Sequence, residues 1–255
     1  MATHNQTKLK TVFKLLQSNR VITSSLLDSN GISRHLRKYY IESGWLEPLG
    51  RGAYKSPDNK VEWPGAVNAI QYQTNTKVHV AALSALTLHG YSHYFRLNKE
   101  VLQLFSPLKE SLPKWFTDYD WNVDIFHKTT SFLSDGLAIK EADIKGILIN
   151  ISTPERAILE CLYLAPKNMD LVECYQVLEG LVNLKPKLVT KLLLACNSLK
   201  VRRLFLYMAE KANHQWFHFL KTDNVDLGKG NRMITKKGVY NAKYLISIPK
   251  ELAVL

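Results

Sequence analysis

Apolar residues recur at helical spacing from the start of the chain. Leu9, Val12, Phe13 and Leu16 stand three and four apart, which predicts a packed helix over residues 3–17. Residues 24–29 form a short second helix, with Thr23 or Ser24 as its N-cap, and Asn30-Gly31 turns the chain into a third helix over residues 33–43. At about 100° per residue, Ile32, Leu36, Tyr39, Tyr40 and Ser43 fall on one side of the third helix, and Ser33, Arg34, Arg37, Lys38 and Ile41 on the other. Gly44 supplies the left-handed stop. Two short strands follow, residues 45–49 and 53–55, joined by the turn Gly50-Arg51-Gly52. Three helices and a basic-tipped hairpin make a winged helix-turn-helix. In that arrangement the helix enters the major groove and the hairpin touches the backbone or minor groove. The pattern nominates Ser33, Arg34, Arg37, Lys38, Arg51 and Tyr54 as DNA-binding residues.

A turn-rich linker, residues 56–60, closes this unit, giving expected domains of 1–60 and 61–255. Helices are expected over 66–73 and 78–89, the second rich in small residues and ended by Gly90. Strands are expected over 101–105, 121–126 and 146–151. Residues 61–152 therefore form a small α+β unit with a sheet of three or more strands. At Ser152-Thr153-Pro154-Glu155 the pattern becomes helical, with Ser152 and Glu155 spaced as a capping box. Apolar stripes place further helices over 171–184, 186–196 and 199–212. The tail is less regular, with strands expected at 233–234 and 244–248 and a basic glycine loop at 228–232. The fold class is α+β: an N-terminal winged helix-turn-helix, then a mixed α/β and helical C-terminal domain whose helical part and basic tail span 153–255.

Charge sharpens this division. Residues 1–60 hold 10 Lys/Arg and 4 Asp/Glu, residues 61–184 hold 10 and 14, and residues 185–255 hold 14 and 4, within a formal net charge of +12. Two basic ends flank an acidic middle, so a polyanion is the expected partner of the ends. No apolar run is long enough to span a bilayer, and the first residues lack the apolar stretch of a signal peptide, so no membrane partner and a cytoplasmic location are expected. Cys161, Cys174 and Cys196 sit in apolar helical patterns and predict buried free thiols.

Catalytic chemistry finds few candidates. The loop at 228–232 lacks the Gly-Lys-Ser/Thr ending of a P-loop. His89 and His93 are separated by the helix-ending Gly90, and His214 and His218 flank Trp216 and Phe217 as an aromatic cluster. No metal site, cofactor or catalytic residue is assigned, and no enzymatic activity is expected. The enzyme alternative is a metal-dependent nuclease. It would use Asp118, Asp120 and Asp124 near one strand with Glu141, Asp143 and Lys145.

Three stretches together carry a family resemblance: Arg51-Gly52-Ala53-Tyr54 at the end of the wing, the run from Ala82 to Gly90, and the run from Ser152 to Glu160. Their order and spacing resemble the AbiEi family, the antitoxins of AbiE-type (type IV) toxin–antitoxin systems of phage abortive infection. The resemblance implies an antitoxin and transcriptional repressor that binds double-stranded DNA at repeats in its own promoter. Its C-terminal part would counteract a nucleotidyltransferase-like toxin. The second and third stretches are scaffold markers in this reading. The exposed basic positions Lys187, Lys191, Arg202, Arg203, Lys229 and Arg232 are expected to face the toxin. The other alternative is a winged-helix regulator with no toxin partner.

Overall fold

Residues 2–16, 20–57, 59–74, 76–91, 100–236 and 238–254 are described by the computed structural model, with side chains from residue 7 onward. The side chain of His4, the linker residue Asp58 and His93 lie outside the described residues. The N-terminal unit runs α1 (Ala2–Leu15), β1 (Ile22–Thr23), α2 (Ser24–Ser29), α3 (Arg34–Glu42), β2 (Glu47–Gly50) and β3 (Ala53–Lys55). Thr23 caps α2, its Oγ1 accepting from the Leu26 N–H at 3.3 Å. Gly44 has φ +70, and the Gly44 and Trp45 N–H groups return to the Ile41 and Tyr40 carbonyls, closing α3. β1 was not expected. It pairs with β3, so the wing is a three-stranded sheet in the order β1-β3-β2. Val12, Leu27, Ile32, Tyr40 and Leu46 form its small core.

The next element is α4 (Trp63–Gln73), which belongs to a second core cluster. Gln73 grips β1 with both side-chain atoms: Nε2 donates to the Val21 carbonyl at 2.9 Å and Oε1 accepts from the Thr23 N–H at 2.8 Å. Val21 and Ala53 are buried in one cluster with Val67 and Ile70 of α4 and Leu104 and Ile149 of the central sheet. The winged helix is thus seated on the rest of the chain.

The central unit contains β4 (His79–Val80), α5 (Ala82–Leu88), β5 (Val101–Ser106), α6 (Lys114–Thr117), β6 (Asp124–Thr129), β7 (Ile139–Ile144) and β8 (Ile147–Ser152). Five strands pair in the order β6-β5-β4-β8-β7. Three expectations need correction. The helix expected over 78–89 begins only at Ala82, because His79 and Val80 are taken into the sheet between β5 and β8. The strand expected over 121–126 lies at Asp124–Thr129. The alternation of Trp121 and Val123 reflects burial in a turn, where the Trp121 Nε1–H donates to the Phe116 carbonyl at 2.7 Å. The strand β7, which carries Glu141 and Asp143, was not among the expected strands. It forms a hairpin with β8 through Lys145-Gly146, both at positive φ (55 and 79), the geometry of a two-residue type I′ turn.

This topology separates the acids of the nuclease alternative. Asp124 opens β6 at one edge of the sheet, while Glu141 and Asp143 lie on β7 at the other. Four strand spacings place the two groups roughly 19 Å apart. They do not form one metal site.

The helical part packs α7 (Pro154–Leu164), α8 (Leu171–Glu179), α9 (Pro186–Ala195) and α10 (Leu199–Lys211). β9 (Arg232–Met233), β10 (Val239–Asn241), β11 (Ile246–Ile248) and α11 (Lys250–Val254) follow. The capping box expected at its start does not form. Thr153 is the N-cap and makes no side-chain cap bond. Ser152 instead donates from Oγ to Glu160 Oε2 at 2.7 Å, and Glu155 accepts from the Lys185 N–H at 3.1 Å. Glu160, fully buried, is the hub of this region. Its carboxylate also accepts from Arg156 Nε at 2.7 Å and from the Ala82 N–H at 2.9 Å, and lies 2.9 Å from His79 Nε2. Ala82 holds φ +48, a left-handed value that costs an L-residue roughly 1–2 kcal/mol. The carboxylate on its N–H helps hold it there. The three cysteines are buried free thiols, their pKa values raised by burial. No described helix is long and apolar enough to cross a membrane.

Candidate nucleic-acid interface

The third helix is positioned from its first residue. Gly31, at φ +71, turns the chain out of α2, and the Ile32 N–H returns to the Leu27 carbonyl at 2.9 Å. Ser33 is the N-cap, its Oγ accepting from the Leu36 N–H at 3.3 Å. It therefore has a structural task at the helix start, and its side chain remains exposed.

The helix is rotated about a quarter of a turn from the expected orientation, taking ~100° per residue. Tyr39, assigned to the core, is 50% exposed, whereas Arg37, assigned to the outer face, is only 7% exposed. Arg37 turns inward because α2 offers acceptors. Its Nη1 donates to Asp28 Oδ1 at 2.5 Å and to the Ile32 carbonyl at 3.0 Å. Arg37 is thus a brace between α2 and α3, turned away from the outward face of the helix. The outward face carries Ser33, Arg34, His35, Lys38, Tyr39 and Glu42. Lys38 and Glu42 stand 3.7 Å apart, both well exposed. His35, exposed beside Arg34 near the helix N-terminus, joins this face although the charge pattern does not single it out.

The wing presents Arg51 at an exposed turn. Gly52, at φ +92, closes this turn, and its carbonyl accepts from the Ser24 N–H at 2.9 Å. The tip is thereby pinned to the start of α2. Tyr54 is half-buried against the small core and acts there as packing. Lys55 is buried and paired with Glu47 at 2.8 Å, so it is not offered to a ligand. The exposed cations of the helix and hairpin are Arg34, Lys38 and Arg51.

Comparison with known proteins agrees with this architecture. Residues 5–97 match the family described as "Transcriptional regulator, AbiEi antitoxin N-terminal domain". Residues 99–249 match "Transcriptional regulator, AbiEi antitoxin, Type IV TA system". The chain belongs to the AbiEi family. Among solved structures it is similar to the RV2827C protein from Mycobacterium tuberculosis. The TM-score is 0.55 and the sequence identity 15%, over 89% of this chain and 85% of that one. At that identity the likeness is one of fold. No curated protein matches the chain significantly.

As an AbiEi antitoxin and transcriptional regulator, the chain has a second surface to account for. Lys187 and Lys191 are exposed on α9, and Lys229 and Arg232 are exposed in and after the glycine loop. Arg203 is not: it is 1% exposed. Its guanidinium donates to the carbonyls of Leu227 (2.7 Å), Gly228 (3.2 Å), Gly230 (2.9 Å) and Leu245 (2.9 Å). The basic glycine loop therefore turns its carbonyls onto a cation. Arg202 is partly covered and donates to the Asp226 carbonyl at 2.6 Å. Both arginines knit the tail to α10, and Arg203 is withdrawn from the toxin-facing set.

Arg37→Ala is expected to lower stability by about 1–3 kcal/mol, since the Ile32 carbonyl and Asp28 lose a shared charged donor. Asp28 is 57% exposed and can rehydrate, which favours the lower end. Thermal denaturation checks this. An unchanged melting temperature together with relaxed base preference would instead restore Arg37 to the DNA.

Proposed function

We propose that this AbiEi chain represses transcription of its own operon by binding promoter DNA through α3 and the wing. The observation carrying this reading is the trio of exposed cations, Arg34, Lys38 and Arg51, on a helix and turn fixed from behind by Arg37, Ser33 and Gly52. Arg34 and Lys38 reach base edges or phosphates in the major groove, and Arg51 reaches phosphate or the minor groove. A bidentate arginine–guanine contact discriminates by about 1–3 kcal/mol. Arg34→Ala should therefore weaken operator binding about tenfold and relax preference at one base position in a gel-shift titration. Arg51→Ala should reduce the log–log salt slope by about 0.9 while leaving sequence preference in place. Unchanged affinity in both variants would remove the winged helix from the DNA.

The second part of the proposal is that residues 61–255 counteract a nucleotidyltransferase-like toxin. The exposed cations Lys187, Lys191, Lys229 and Arg232 support this. Lys187 also borders an apolar hollow of about 870 Å³ in which Leu188 and the 71% exposed Phe219 lie. Such a toxin holds carboxylates for Mg²⁺, which a cationic surface complements. Because the winged helix shares core residues with α4, the two activities are best separated by point variants of the full chain. Lys187→Glu with Lys191→Glu should abolish growth rescue on co-expression with the toxin and leave operator binding intact. Rescue unaffected by these changes would move toxin neutralisation to another surface.

A further inference from the structure

The central sheet is thinnest at β4, a two-residue strand between the six-residue β5 and β8. β4 begins only at His79, and ahead of it a cavity of about 640 Å³ lies between the end of β5 and β8. That size falls in the range of small-molecule sites, roughly 300–1,000 Å³. Val78, Phe105, Leu133 and Ile139 give it an apolar wall. Its charged groups are unevenly placed. Arg156 lines the cavity although it is only 4% exposed. Its Nε is held by Glu160, and its Nη1 donates to the Ser134 and Leu137 carbonyls at 3.0 and 2.7 Å. Among the described residues, Nη2 is the amine left for a ligand. Glu160 stands behind Arg156 and His79 and does not line the cavity. A ligand thus meets the guanidinium and not its counter-ion. At the mouth, Lys77 and Asp135 stand 3.8 Å apart, both well exposed.

We propose that this cavity binds a small amphipathic anion, a carboxylate or phosphate ester with an apolar body. The anionic group lies between Arg156 and Lys77, and the body lies on Phe105, Leu133 and Ile139. Asp135 competes for Lys77, so an entering anion takes the ammonium from it. This site is separate from the DNA-facing cations and from the basic surface of α9, and it stands or falls independently of the repressor reading.

Calorimetric titration of the full chain tests it with four probes. Naphthoate and naphthyl phosphate carry both charge and body, naphthol the body alone, and inorganic phosphate the charge alone. At least one naphthyl anion should bind with one site per chain, about tenfold or more tighter than naphthol or inorganic phosphate. The preference between the two anions identifies the headgroup. Lys77→Ala should weaken that binding about tenfold, and Ile139→Trp, which fills the cavity, should abolish it. Asp135→Asn should tighten it about threefold by freeing Lys77, a gain that general damage to the fold does not produce. Circular dichroism melting confirms that each variant is folded. The proposal is overturned if neither anion saturates or if naphthol binds as tightly. Binding that ignores both Lys77→Ala and Ile139→Trp also overturns it, by placing the anion elsewhere, as in the hollow beside Phe219.

Discussion

Glu160→Gln should destabilise the protein by about 3–5 kcal/mol, the cost of leaving a buried charge without its partner. The carboxylate is fully buried and is held by Arg156, His79, Ser152 and the Ala82 N–H. An amide keeps the shape but brings donors where four donors already point. Arg156 would lose its counter-charge and keep the Ser134 and Leu137 carbonyls, with at best a share of the single amide oxygen. The left-handed Ala82 would lose its anchor as well. Chemical denaturation of the variant measures the loss, and a change below 1 kcal/mol would show that the hub is dispensable.

The same group sets a pH dependence. Burial pushes the Glu160 carboxyl up, but the charge and hydrogen bond of His79, the charge of Arg156 and the Ala82 N–H outweigh it, and the pKa is lowered from 4.5 to about 2. A depressed folded-state pKa contributes stability that is complete above the unfolded value and is lost as pH falls through the folded one. The displacement corresponds to about 3 kcal/mol. Stability should therefore decline between about pH 4.5 and about pH 2, and Glu160→Gln should flatten that part of the curve.

Which features the sequence revealed follows from the range of the interactions that make them. Thr23, Gly31, Ser33 and Gly44 act within a turn of their own position, and the three N-terminal helices could be placed from them. The sheet and the bundle were recognised as classes, and the AbiEi resemblance was visible in the Ala82–Gly90 and Ser152–Glu160 runs. Long-range partners were not visible. Periodicity ranks side chains by polarity and so put Arg37 outside, but Asp28 and the Ile32 carbonyl supplied a buried destination for it. His79 was read as helical because its neighbours are small, and it is drawn into the sheet by β5 and β8. Ser152 and Glu155 have capping-box spacing, yet Glu160 and Lys185 compete for them with better-placed groups. The hairpin turn Lys145-Gly146 is a local signal, but the charged Lys140, Glu141 and Asp143 before it break the apolar alternation that marks a strand.

Arg203→Ala should lower stability by about 3 kcal/mol or more, through a cavity in α10 and four carbonyls deprived of a donor. These carbonyls belong to Leu227, Gly228, Gly230 and Leu245, so the loss should fall first on the tail, which Arg203 ties to the bundle. Charge reversal to Glu would be worse, since a carboxylate would face four acceptors. Arg203→Lys should recover part of the stability, because an ammonium carries the charge but cannot fork to four carbonyls at once. Differential scanning calorimetry of the three variants should give the order Arg, Lys, Ala, Glu in falling melting temperature. The exposed neighbours serve as the contrast: Lys229→Glu and Arg232→Glu should leave melting nearly unchanged and, if the tail meets the toxin, reduce growth rescue. An Arg203→Ala protein that melts like the parent but fails to rescue would return Arg203 to the toxin-facing surface, against its burial here.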